Sequence, residues 1–218
     1  MASRGKIVDL RALLAERFPA TALPPRDYLL TGLSTFDRTP VGGLRKGCIT
    51  ELISSKESAG SASFLAAMVQ AAQRDRYFLA LIDGKDSFDP QPLGNEALRH
   101  LLWLRCQSTL QAVKSADLLL RDGNFPLVII DLVLNPANEV RKIPQTSWYR
   151  LQRLVEATST AFVVLTRFNT VSSAQLKIVL DNIWTLQSFR HQNPSAFLQI
   201  RVQRAHRSSD AAVHTLAG

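Results

Sequence analysis

The sequence predicts an α/β protein: a twisted, mainly parallel sheet with helices on both faces, preceded by an amphipathic helix. Three observations predict it. Residues 49–90 read as strand, turn, helix, strand. Two later runs, FPLVIIDLV at 125–133 and AFVVL at 161–165, are apolar at every step rather than alternating, as strands covered on both faces are. The segment between the first two strands has the length of a helical crossover, which in a parallel sheet is right-handed.

The chain has 218 residues, of which 46% are hydrophobic and 20% charged. That describes one domain able to bury a full core, with or without an arm. No apolar run reaches membrane-spanning length and the first residues lead into an amphipathic stretch, so neither a signal peptide nor a membrane span is expected. Cys48 and Cys106 have no CxxC partner, which argues against a metal site or a disulfide framework and makes the reducing cytoplasm the expected compartment. The formal charge of +8 and pI near 10 fit an anionic partner such as nucleic acid. The basic residues are dispersed, however, and a solvated basic surface explains them nearly as well.

In chain order, residues 6–18 place Ile7, Leu10, Leu13 and Leu14 at helical spacing. Pro19 stops this helix and Pro24-Pro25 form an extended connector. The division that follows is an arm and linker over 1–27, a core over 28–206 and a flexible tail over 207–218. The arm either packs on the core or docks onto a partner. Glycines at 42, 43 and 47 make a turn before the first core strand at 48–53. A helix over 61–74 buries Phe64, Leu65, Met68 and Ala72, and 77–82 is the next strand. Residues 96–122 read as one or two helices carrying LLWLRC and AVKSADLLL, ended by Gly123. The strand at 125–133 has Asp131 at its carboxyl end. A helix at 147–158 turns Trp148, Leu151, Leu154 and Val155 inward, and the strand at 161–165 ends at Thr166-Arg167. Residues 175–181 read as helix, and 183–189 and 196–203 as strands.

The turn after the first strand sits where a phosphate loop would. Such a loop needs two glycines so that backbone N–H groups wrap the phosphates, a lysine for the outer phosphates and a Ser or Thr for magnesium, in the pattern GxxxxGK[ST]. Residues 55–62 read SKESAGSA: Gly60 stands where the second glycine belongs, Ser55 replaces the first, Ser61 the lysine and Ala62 the magnesium ligand. Asp131 is placed as a carboxylate that would hold a magnesium-bound water. An aspartate there can as easily cap a loop, and without the lysine and hydroxyl the capping role is favoured.

Taken together, TGLSTFD, GGLRKG, ITEL, the broken loop, LALIDGKDSFDP, LLLRDGNFPLVIIDL and AFVVLTR resemble the RecA-type recombinase core over residues 29–202, closest to the ImuA/SulA-like relatives whose nucleotide site has decayed. The resemblance implies that Lys85 stands where the family has its catalytic glutamate, and that Thr166-Arg167 stands where RecA has a polar sensor pair. Lysine accepts no hydrogen bond and cannot orient an attacking water. The resemblance therefore implies no catalytic residues, no metal and no cofactor. Backbone amides at Gly60 and Ser61, with Lys56 and Lys85 close in sequence, could still hold a weakly bound anion. It further implies DNA loops at 135–145, retaining Arg141 and Lys142, and at 168–174, with no basic residue after Arg167. Candidate contacts to DNA or a partner are Arg141, Lys142, Arg167, Arg201, Arg204 and Arg207. The expected role is a non-catalytic scaffold in the bacterial DNA-damage response, bound to a mutagenic polymerase assembly. Alternatives are a SulA-like inhibitor of division-GTPase polymerisation and a residual ATP-binding ATPase. Any nucleic-acid binding is expected to be weak and non-specific, and no membrane partner is expected.

Overall fold

Apolar runs of five or six residues that are buried along their whole length cannot lie on a surface, and in this chain they stack side by side. The computed structural model describes residues 27–38, 42–56, 58–182 and 198–205. Five such runs form consecutive core strands: β3 (Ile49–Ile53), β4 (Leu79–Asp83), β6 (Leu127–Asp131), β7 (Ala161–Thr166) and β8 (Leu176–Leu180), each buried at every residue. With β5 (Leu101–Arg105) and β9 (Ile200–Ala205) they make a seven-stranded sheet in the order β5-β4-β6-β7-β3-β8-β9. Every neighbouring pair is parallel except β8–β9. Ahead of the sheet, β1 (Tyr28–Leu29) and β2 (Leu44–Arg45) form a small antiparallel ribbon.

Helices cover both faces. On one, α2 (Ser61–Arg74) buries Phe64, Leu65, Met68, Val69 and Ala72, and the short α1 (Ser34–Asp37) lays Phe36 against Phe64 with ring centroids 6.1 Å apart. Each fully buried large apolar side chain of this kind contributes about 1.5–3 kcal/mol. The helical turn α3 (Asn95–Leu98) buries Ala97 on the same side. On the other face, α4 (Thr109–Asp122) and α6 (Gln145–Glu156) pack Ala112, Ala116, Leu120, Trp148, Leu151 and Val155 onto the sheet, with α5 (Ala137–Arg141) adding Val140. The TGLSTFD segment is held by Asp37, whose carboxylate accepts from Thr31 N, Thr31 Oγ1 and Gly32 N at 2.8–2.9 Å.

The α/β reading, the helix at 61–74 and the strands ending at Asp83, Asp131 and Thr166 hold. Two segments differ. LLWLRC is the edge strand β5, not helix: Leu79 N donates to His100 O and Cys106 N to Asp83 O, so the run extends the ladder of β4. Five residues are too few for a buried helix but enough for a strand. Residues 175–181 are also not helical, because LKIVL is β8, buried throughout between β3 and β9. Tertiary pairing overrides local preference there. The strand expected at 196–203 begins later, at Ile200. The predicted arm helix at 6–18, the strand at 183–189, the tail and Arg207 lie outside the described residues.

Candidate functional site

In a parallel sheet the crevice beyond the carboxyl ends of the strands is where ligands bind, and the strand ends of this chain converge there. Asp83, Asp131 and Thr166 terminate β4, β6 and β7, which are consecutive in the sheet, and Asp83 is in register with Asp131. A cleft of about 390 Å³ opens at this edge. Its lining combines hydroxylic and basic residues, Ser54, Lys56, Ser58, Ser61, Ser87 and Arg167, with the carboxyls of Asp89 and Asp131 and with apolar Leu65, Phe88, Pro92, Leu93, Val133 and Leu134.

The β3–α2 loop supplies much of the polar lining. Its entry is pinned by Ser54 N donating to Thr166 O at 2.8 Å. Ser58 (φ 57°) and Gly60 (φ 112°) both have left-handed backbones, and α2 starts at Ser61 with no side-chain cap. Gly60 has a packing reason to be glycine. A Cβ on it would lie 2.3 Å from Leu198 Cδ1, a side chain that is fully buried as the chain enters β9. Ser61 and Ala62 line the cleft as their place in the loop predicts, but Ser55 is exposed and it is Ser54 that faces in. Lys56 reaches the cleft and pairs with Asp181 at 3.4 Å.

The two aspartates have different tasks. Asp83 is fully buried, and its carboxylate accepts from its own loop, Lys85 N at 3.2 Å and Ser87 N and Phe88 N at 2.8 Å, and from Trp103 Nε1 on β5 at 3.3 Å. Lys85 contributes its backbone to that cap and leaves its side chain exposed, outside the cleft lining. Asp131 does face the cleft, with Val133 N donating to Oδ1 at 2.9 Å. Burial pushes its pKa up to about 6, the Val133 bond opposes this, and Asp83 adds to it. Its carboxyl therefore changes charge near neutrality. Thr166 points away from the cleft and donates to Glu51 Oε1 at 3.2 Å.

The loops that follow β6 and β7 are joined. The Arg141 guanidinium lies 4.8 Å from the Phe168 ring centroid, and Gln145 Nε2 donates to Thr170 O at 3.2 Å while its Oε1 accepts from Ser172 Oγ. Arg141 and Lys142 are exposed beside this junction, and Arg167 is half-buried at the cleft. Arg201 is exposed on β9, far along the sheet order from Arg141; Arg204 is on the same strand. The candidate basic residues thus fall into two groups rather than one. Among the described residues no three His, Cys, Asp or Glu side chains are grouped to hold a metal ion. Burial pushes both the Cys48 and Cys106 thiols up, so neither is an activated nucleophile at neutral pH.

Sequence reasoning missed Ser54, Phe88 and Leu134 at the cleft, and the charged pair beneath it, Glu51 and Lys177. The available signal was a charge in each of two otherwise apolar strands, ITELI and LKIVL.

This sheet order, the loop-to-helix turn at its centre and the cleft at the strand ends define a RecA-like core. The particular relatives are bacterial proteins each described as Protein RecA. That of Clavibacter michiganensis subsp. michiganensis is 34% identical over 133 residues, covering 59% of this chain and 34% of the relative. That of Acinetobacter baumannii is 34% identical over 116 residues, covering 50% and 33%. That of Chlorobaculum tepidum is 33% identical over 96 residues, covering 43% and 27%. The chain thus spans about a third of the length of the curated relatives it matches. No protein-family model matches it. No helix among the described residues is long and apolar enough to cross a membrane.

Proposed function

We propose that this chain is a non-catalytic RecA-like accessory protein, a scaffold in the bacterial response to DNA damage that joins a translesion polymerase assembly. The observation that carries this reading is the composition of the β3–α2 loop in its folded place. The turn and the helix start are kept, yet the loop residues facing the cleft are Ser54, Lys56, Ser58, Ser61 and Ala62, with no lysine at the helix start itself and no hydroxyl at Ala62. Residues of this kind do not fit a magnesium nucleotide. Gly60, the one family-like glycine of the loop, has a left-handed backbone and close contact with Leu198 that favour glycine without any phosphate, and Lys85 is exposed and outside the cleft lining. The matching experiment measures ATP turnover and the thermal midpoint with ATP, with and without magnesium. No turnover and no magnesium-dependent shift are expected; micromolar ATP affinity would overturn the reading in favour of an ATP-binding member of the family.

The partner is a protein of the repair machinery, and recovery of polymerase subunits by pull-down from cells with damaged DNA is the expected result. Direct DNA contact in this reading is phosphate neutralisation from Arg141, Lys142, Arg201 and Arg204, weak and indifferent to sequence. One observation favours a second reading, an inhibitor of division-GTPase polymerisation of the SulA kind. The loop after β7 is short and tied to its neighbour by Arg141 and Gln145, which leaves little free chain to track a nucleic acid. Complete absence of DNA retention at low salt, with recovery of the division GTPase, would decide for it.

A further inference from the structure

Glu51 on β3 and Lys177 on β8 are directly opposed in the parallel register and buried, with side chains 0% and 5% exposed. Lys177 Nζ lies 2.8 Å from Glu51 Oε2, a close ion pair. A buried ion pair of this kind is a poor source of stability, because desolvation cancels much of the attraction and well-packed apolar residues do as well. What distinguishes this pair is where its remaining hydrogen-bonding capacity goes. Glu51 Oε1 accepts from Thr170 N at 2.7 Å, Val171 N at 3.1 Å and Thr166 Oγ1 at 3.2 Å, and Lys177 Nζ donates to Asn169 Oδ1. Both charges are thereby committed to the segment just after β7. From the other side, Gln145 holds Thr170 O and Arg141 covers Phe168.

We infer that Glu51 is a positioning residue whose carboxylate, with Lys177, presets the 167–171 segment so that Arg167 is held at the cleft before any ligand or partner arrives. Arg167 lies between Thr166, bonded to Glu51, and Phe168, covered by Arg141. The inference concerns loop geometry and stands whether or not the accessory role holds. Its consequence is that binding at this face does not order the loop.

Residue-resolved hydrogen exchange on the full chain tests it. After correction for intrinsic rates, the Thr170 and Val171 amides should exchange about 100-fold more slowly than that of exposed Leu134, although all three lie outside helices and strands. In the double variant Glu51→Leu/Lys177→Met, which replaces the ion pair by apolar groups of similar size, that protection should fall by about 100-fold at Thr170 and Val171 while Ala80 and Val128 keep theirs. Retained protection at Thr170 and Val171 in the folded double variant overturns the inference, as does acceleration spread evenly over the sheet. Should the double variant not fold, the parent decides alone: Thr170 and Val171 exchanging as fast as Leu134 overturns it.

Discussion

Among the described residues Asp131 is the one strand-terminal carboxyl that lines the cleft, and its environment favours the uncharged form. Below the ordinary value of 3.8 the group is protonated in both folded and unfolded chains. Between 3.8 and about 6 the unfolded chain has released its proton and the folded protein still holds it; above about 6 both are ionised and the burial cost is complete. Stability from this group is thus present at low pH and lost as pH rises through about 6. The gap corresponds to roughly 2–3 kcal/mol. Asp131→Asn should therefore raise the unfolding free energy at pH 7, by on the order of 2 kcal/mol, and the difference should shrink towards zero only below the unfolded value of 3.8, by about pH 3. Equal stabilisation at both pH values would show that packing, not ionisation, is responsible. Gly60 makes the companion case. Gly60→Ala adds a Cβ against Leu198 in a left-handed backbone, which should cost about 2–4 kcal/mol in urea unfolding. At this scale the sequence identified Gly60 and Asp131 but not their reasons, because both depend on tertiary packing, the approach of Leu198 for one and burial at the strand end for the other.

Among the elements, α4 has the most explicit local instructions. Ser108 Oγ accepts from Gln111 N at 3.3 Å, Gln111 Oε1 accepts from Gln107 N at 2.9 Å, and Gly123 closes the helix in the left-handed conformation. Ser108→Ala should cost about 1 kcal/mol in thermal or denaturant unfolding, and Ser108→Asp should not. Apolar periodicity made α2 and α6 legible and Gly123 marked the end of α4, along with the continuous apolar runs of β3, β4, β6 and β7. LLWLRC and LKIVL were not legible for a shared physical reason. Each contains a five-residue strand, LLWLR or LKIVL, whose state is set by the strand it pairs with: β4 for the first, β3 and β9 for the second. Lys177 adds to the difficulty, since it interrupts an apolar run and is compensated only by Glu51, 126 residues earlier.

For the whole molecule, the cleft's outline was legible from the order of strand ends, whereas its floor was not. Asp83 and Thr166 turn to Trp103 and Glu51 instead of facing the opening. The basic surface also divides at this scale, with Arg141 and Lys142 at the strand ends and Arg201 and Arg204 on the far edge strand. If both groups meet one polyanion, Arg141→Ala/Lys142→Ala and Arg201→Ala/Arg204→Ala should each weaken DNA retention at low salt and flatten its salt dependence. Loss in only one pair would assign the contact to that edge. The sheet order also dictates how the chain is assembled during synthesis. Strand β3 is translated first among the central strands, yet its neighbours are β7 and β8, so Ile49–Ile53 emerges with both edges open until residue 166 has cleared the ribosome and with one edge open until residue 180 has. Non-local pairing of this kind is slow and exposes the incomplete chain to aggregation. A nascent chain stalled before β7 should therefore be a chaperone client, and the last strands delivered, not the first, complete the centre of the fold.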